Sequence, residues 1–345
     1  MEADCWEDPR ITDAFRMFLL VVIGGSVCCA GIFLNSCLLV VFSKLRVTNS
    51  NLIYLALLAS FDIAVEISFI LIFIVEHFYD FFHLLDMYLL WHSYVVPIST
   101  MGQTLIAASS CLIVAASFER YSASKGRIFK RHQRMVAIGC AMGVAAITRL
   151  TVFFELSLLK QDECTGFAYV HVVQSEMTKG WTYSVLYMFW TRNVVNVFLP
   201  FALLLFFNSA AISNLTRQRP DDLLMETPPL VSPEGVEGRT SSVKDASRTL
   251  VALVSVYLLT NTLNLFITLW EHIDKSSLTE IFDGGLYRYL ADISSVLAVT
   301  GTALRLPVYY ACNGVMRKHL NDLFISIKGG ESLYDEKEMK QPAQV

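Results

Sequence analysis

Residues 95–121 read VVPISTMGQTLIAASSCLIVAASFERY, an apolar run that ends in Glu119-Arg120-Tyr121. A charge at the edge of a lipid bilayer is costly unless it is paired or wet, so an Arg placed straight after an acidic neighbour marks a functional position. The plainer reading is a positive anchor that stops a membrane helix on its inner side. The rest of the chain has to separate the two.

Hydrophobic residues fill 54% of 345 positions and only 17% are charged, with a mean hydropathy of +0.49. An ordinary soluble domain carries about 25% charged residues, so this composition belongs to a membrane protein. About 20 helical residues cross a hydrocarbon core. Runs of that length occur at 17–42, 52–75, 95–118, 135–159, 185–212, 250–270 and 286–312. The predicted fold is all-α, a bundle of seven transmembrane helices. The stretch 76–94 is interrupted by His77, Asp80, His83, Asp86 and His92 and is expected to be an aromatic interfacial loop.

Lys and Arg set the orientation. Seventeen fall in the connections after the first, third, fifth and seventh runs, against six on the other side (Arg10, Arg16, Lys160, Lys179, Lys275 and Arg288). The N-terminus is therefore expected outside and the C-terminus inside. Acidic residues Glu2, Asp4, Glu7, Asp8 and Asp13 are wrong for a cleaved leader, so the first helix is expected to act as an uncleaved signal anchor. This divides the chain into an extracellular tail (1–16), a membrane domain (17–312) and a cytoplasmic portion (313–345) that starts with a short amphipathic helix, 314–327. Within the membrane domain, 216–247 carries Pro220, Pro228, Pro229, Pro233, Gly235 and Gly238. It is expected to be a disordered third cytoplasmic loop.

A net charge of −4 with no basic patch interleaved with aromatics gives no reason to expect nucleic acid. No nucleophile–base set stands at useful spacing, so neither enzyme activity nor a cofactor is expected. His77, His83 and His92 lack a recognised zinc-ligand spacing, and no metal is expected.

The polar residues within the runs resemble those of the rhodopsin-like (class A) G-protein-coupled receptors. Asn35 stands in the first run, and Asn51-Leu52-Ile53-Tyr54-Leu55-Ala56-Leu57-Leu58-Ala59-Ser60-Phe61-Asp62 opens the second. Glu119-Arg120-Tyr121 closes the third, Phe198-Leu199-Pro200-Phe201 lies in the fifth, and Pro307-Val308-Tyr309-Tyr310 is in the seventh. Within that family, Pro97 to Thr104, Ala116 to Tyr121 and Ala303 to Tyr310 are similar to invertebrate FMRFamide-like neuropeptide receptors. The resemblance implies a multi-pass plasma-membrane receptor that transduces an extracellular peptide to a cytoplasmic heterotrimeric G protein. Two alternatives are a chemosensory receptor for a small molecule and, from another class, a transporter.

What the resemblance implies for residues can be stated one by one. Glu119 is expected to hold Arg120 at rest and release it toward Tyr310 and the G protein, with Tyr121 and Pro307 completing the switch. Asn35 and Asp62 form an intramembrane polar core, where the family holds a sodium ion. Arg305 either supplies that positive charge to Asp62 or pairs elsewhere. Asp292 and Glu271 are the candidate carboxylates for a ligand guanidinium, with Arg192 nearby and Gln103, Tyr187, Trp190 and Trp270 as walls.

Departures from the family are also visible. Gly102 replaces the Asp of amine receptors, the seventh run has no Lys for a Schiff base, helix six lacks its Pro, and Leu306 replaces an Asn. The usual Cys at the outer end of helix three is missing. Of eight Cys, Cys5 and Cys164 fall on the outer side, where the compartment is oxidising. They either pair, pinning the tail across the outer mouth, or stand as two separate thiols.

Overall fold

The computed structural model describes residues 14–46, 53–125, 127, 129–217, 233–273 and 285–329. Seven helical segments match the seven runs: α1 (14–46), α2 (53–82), α3 (Leu85–Ser124), α4 (Arg131–Arg149), α5 (182–217), α6 (Pro233–Ile273) and α7 (285–312, in two halves meeting at Leu304). An eighth helix, α8 (Gly314–Gly329), follows. Five segments are long and apolar enough to cross a membrane by length and composition alone: Ala14–Ser43, Ile53–Phe82, Leu85–Ala123, Arg131–Glu155 and Val251–Trp270. A helix keeps its backbone hydrogen bonds within itself, which is why lipid selects this element.

The packing order makes a ring. α1 packs on α2, α2 on α3, α3 on both α4 and α5, α5 on α6, α6 on α7, and α7 back on α1. One apolar core joins Leu38, Val41 and Phe42 of α1 to Leu306 and Tyr309 of α7 and to Met316 and Leu320 of α8. A second joins Tyr54 and Leu58 of α2 to Leu112, Ile138, Leu204 and Val254 from α3 to α6. Large apolar side chains such as Phe33, Ile147, Phe206 and Leu259 are exposed on the outside of the ring, the pattern expected where lipid is the solvent.

Three expectations change. First, 76–94 is helical apart from a tight turn. α2 runs on to Phe82, and His83 takes the left-handed conformation (φ 52°). The Leu84 amide then donates back to the Tyr79 carbonyl at 3.0 Å. That is a Schellman stop with His where Gly is usual, so the sequence carried no glycine signal for it. α3 accordingly spans 40 residues, about 60 Å at 1.5 Å per residue.

Second, the fourth run does not end as helix. After a short turn, Leu156–Lys160 (β1) pairs antiparallel with Val170–Gln174 (β2). The alternating Val170-His171-Val172-Val173 is a strand pattern that flanks the run rather than lying in it. Third, of the segment expected to be disordered, 216–217 end α5 and 233–247 begin α6, while 218–232 lie outside the described residues. Pro233 stands at the first helical position, where its missing N–H has no intrahelical partner to lose. The tails 1–13 and 330–345 also lie outside the described residues.

Candidate functional site

The charged residues inside the ring are buried and mostly paired. Arg305 Nε stands 2.5 Å from Asp62 Oδ2, with side-chain exposures of 9% and 0%. One turn beyond Asp62, the fully buried Glu66 accepts from Asn35 Nδ2 at 3.1 Å and from Thr302 Oγ1 at 2.9 Å. Asn35 also reaches the Thr302 carbonyl. Four helical positions separate Asp62 from Glu66, so both carboxyls lie on one face of α2. α1 admits Glu66 only because Gly31 has no side chain: a Cβ there would sit 2.1 Å from Glu66 Oε1.

Above this ionic core lies a cavity of about 440 Å³ bounded by α2, α3, α6 and α7 and by Arg149 at the end of α4. Its walls mix Phe69, Ile72, Phe73 and Ile106 with Gln103, Ser99, Tyr257, Asn261 and Asn264, and its floor holds Asp62 and Arg305. Such a volume suits a small organic ligand. Gly102 lies on this wall, and a Cβ there would sit 3.2 Å from Ser68 Cβ. α2 and α3 therefore approach too closely for the Asp of amine receptors to fit without movement.

Of the six ligand candidates whose side chains are described, only Gln103 lines the cavity, where it accepts a hydrogen bond from Arg149 Nη1 at 3.0 Å. Asp292 is closed by Arg16, whose Nε lies 2.6 Å away. Arg192 donates to both oxygens of Glu155 at 2.8 and 2.9 Å, and Tyr183 donates to the same carboxylate. Tyr187 donates to the Ile147 carbonyl. Trp190 is exposed, and Trp270 makes an edge contact with Phe266. The Glu271 side chain lies outside the described residues.

The physical reason for the misplacement in α5 is its backbone. Thr182–Thr191 and Val194–Phe198 are π-helical, so each turn holds an extra residue and side-chain directions slip relative to an α-helical count.

At the other end of α3, Glu119 does not hold Arg120. Arg134 of α4 donates to both of its oxygens, from Nη2 to Oε1 at 2.7 Å and from Nε to Oε2 at 3.2 Å. A planar guanidinium matches a carboxylate with two bonds, whereas adjacent residues on a helix do not face each other. Arg120 is half-buried and makes no ion pair with a carboxylate among the described residues. Within electrostatic range it has Glu119, Tyr309 and Arg134. Tyr309 is 3% exposed and lies edge-on to Phe42, while Tyr310 faces outward at 39%. The inward tyrosine is thus the residue before the one expected, downstream of the break at Leu304. Pro307 causes that break, since it cannot donate to the carbonyl four residues back. Tyr121 stacks obliquely on Phe207 of α5, with the Lys125 ammonium 4.6 Å from its ring centroid.

The strand hairpin is tied to α3 by Tyr88, fully buried, whose hydroxyl bonds the carbonyls of Phe167 and Val170 and the Val170 amide. Cys164 is disulfide-bonded, and the other six described cysteines are free. Cys5 lies outside the described residues.

In the sequence, Glu66, Glu155 and Arg149 stand out only as charges within apolar runs, and Arg134 only as one of the seventeen basic residues of the connections; nothing there singles out Tyr88, or Tyr309 over Tyr310. The four-residue spacing from Asp62 was the signal available for Glu66.

No family model matches the sequence, and no curated protein matches it. Among solved structures, squid rhodopsin is similar with a TM-score of 0.69 over 99% of this chain and 97% of that one, at 12% identity. The likeness extends across the whole length and establishes a rhodopsin-like seven-helix fold for this multi-pass membrane chain.

Proposed function

We propose that the chain is a plasma-membrane G-protein-coupled receptor: an extracellular ligand in the cavity selects a bundle arrangement that a cytoplasmic heterotrimeric G protein also prefers. The observation that carries this reading is the arrangement along α3, which lines a ligand-sized cavity with Gln103 and ends in Glu119-Arg120-Tyr121. One rigid element touching both places couples them, so each partner changes the other's affinity by the same factor. Arg120 is the residue offered to the G protein, and Tyr309 is its neighbour on α7.

For the ligand, the phrases in α3 and α7 support a neuropeptide of FMRFamide-like type. A small molecule is the second reading, favoured by the cavity volume and by the closure of Asp292 on Arg16, which removes a carboxylate intended for a peptide guanidinium. Expression of the full chain in cells, with peptide and small-molecule libraries and calcium and cAMP readouts, tests the receptor reading. Ligand-dependent signalling that is lost in Arg120→Ala is the expected result. Substrate flux across the membrane without any G-protein response would replace it with a transporter.

A further inference from the structure

The charges on the cavity wall do not balance. Among the described residues, the charged ones lining it are Asp62, Arg305 and Arg149. Asp62 and Arg305 neutralise one another at 2.5 Å, which leaves Arg149. Among the described residues Arg149 has no carboxylate within ion-pair distance. Glu155, the acid nearest in sequence, is already occupied on both oxygens by Arg192 and by Tyr183. Of the guanidinium's donors, Nη1 serves Gln103, and Nε is buried without a partner. A buried charged donor left unmet is costly, and the cavity beside it is large enough to hold the missing acceptor.

We propose that the cavity binds a small organic acid, with its carboxylate seated on Arg149. Two parallel N–H donors match two carboxylate oxygens, and Gln103 fixes the plane of the guanidinium by accepting from Nη1. The remainder of the ligand lies along Phe69, Ile72 and Ile106, with Asn261 and Asn264 of α6 offering amide contacts. Among the described residues, a cationic ligand finds no open carboxylate on this wall. The inference takes the small-molecule reading of the ligand over the peptide one and rests on the receptor reading only for its consequence, signalling; the binding stands by itself.

The test uses the purified full chain in detergent and matched compounds: aliphatic and aromatic monocarboxylates, their methyl esters, and the corresponding primary amines. A separate arm uses long-chain fatty acids, to distinguish an acid arriving from the bilayer from one arriving from water. Acids are expected to raise the melting temperature, with esters and amines at least about tenfold weaker, the loss typical of a charge-assisted contact. Arg149→Gln is expected to abolish that preference and Arg149→Lys to keep part of it. If Arg149→Gln does not fold, Gln103→Leu is expected to weaken acids while leaving esters unchanged. Equal stabilisation by esters, preference for amines, indifference to these substitutions, or no response to any compound overturns the proposal. An acid that stabilises the chain but triggers no G-protein response leaves it standing and removes the receptor reading instead.

Discussion

Glu119 closes on Arg134, fifteen residues further along the chain, through a fork with contacts of 2.7 Å to Oε1 and 3.2 Å to Oε2, while its neighbour Arg120 stays outside that pair. The bond ties the end of α3 to the first turn of α4, with both side chains largely buried at 15% and 5% exposure. A buried pair loses most when one partner is removed, because the other charge remains.

Glu119→Gln is therefore expected to destabilise the chain by about 3 kcal/mol, the cost of leaving a buried Arg unpaired, and, under the proposed receptor function, to alter basal signalling. The exchange Glu119→Arg with Arg134→Glu is expected to recover much of the thermal stability. Melting of the purified variants decides between this and a Glu119–Arg120 lock, for which Arg134→Glu would add nothing to the rescue.

Asp62→Leu alone, or Arg305→Leu alone, is expected to cost about 3–5 kcal/mol, whereas the two together cost much less, since an apolar replacement of a buried pair is often near neutral. With Arg305 already holding the carboxylate, agonist affinity in the wild type is expected to be insensitive to sodium. Radioligand binding in sodium and in an organic-cation buffer checks the second point.

Gly31→Ala is expected to be among the most damaging small substitutions in α1, because the new methyl would sit 2.1 Å from Glu66 Oε1. Glu66→Ala should relieve the clash, so the double variant is expected to fold better than Gly31→Ala. Surface expression and melting of the three variants would show it.

Tyr88→Phe removes the hydroxyl that joins α3 to β2 and leaves the buried Val170 carbonyl and amide short of a partner, an effect of about 1–3 kcal/mol. Faster amide exchange across Val170–Gln174, with α4 to α6 unchanged, is the expected signature. Uniform loosening of the whole bundle would instead point to a general packing defect.

Cys164 is disulfide-bonded, and the pairing proposed for it is Cys5. Non-reducing peptide mapping is expected to recover a peptide containing both residues, and Cys5→Ser is expected to lower stability as much as Cys164→Ser. Recovery of Cys5 as a free thiol would end that assignment.

The seven-helix architecture was legible before any coordinates, because lipid imposes its length and polarity on each segment independently of the others. Seven apolar runs give seven helices, and the basic stretch after Pro307-Val308-Tyr309-Tyr310 gives α8. What escaped were breaks governed by a single backbone geometry: the turn at His83, the strands beside Cys164 and the π-helical turns of α5. Each is a local departure from the repeat that periodicity assumes.

Sequence also identified most of the charges that matter, since an ionisable residue in an apolar run is conspicuous by itself. It could not say which cation meets which carboxylate. Arg134 takes Glu119, Arg16 takes Asp292, Arg192 takes Glu155, and Arg305 takes Asp62. Those partners come from different helices, up to 276 positions apart, and their distances depend on how the helices rotate and approach. Residue types and spacing determined that this chain is a membrane bundle carrying buried charges; only the packing of one helix against another decided their pairing and left Arg149 facing the cavity without a counter-charge among the described residues.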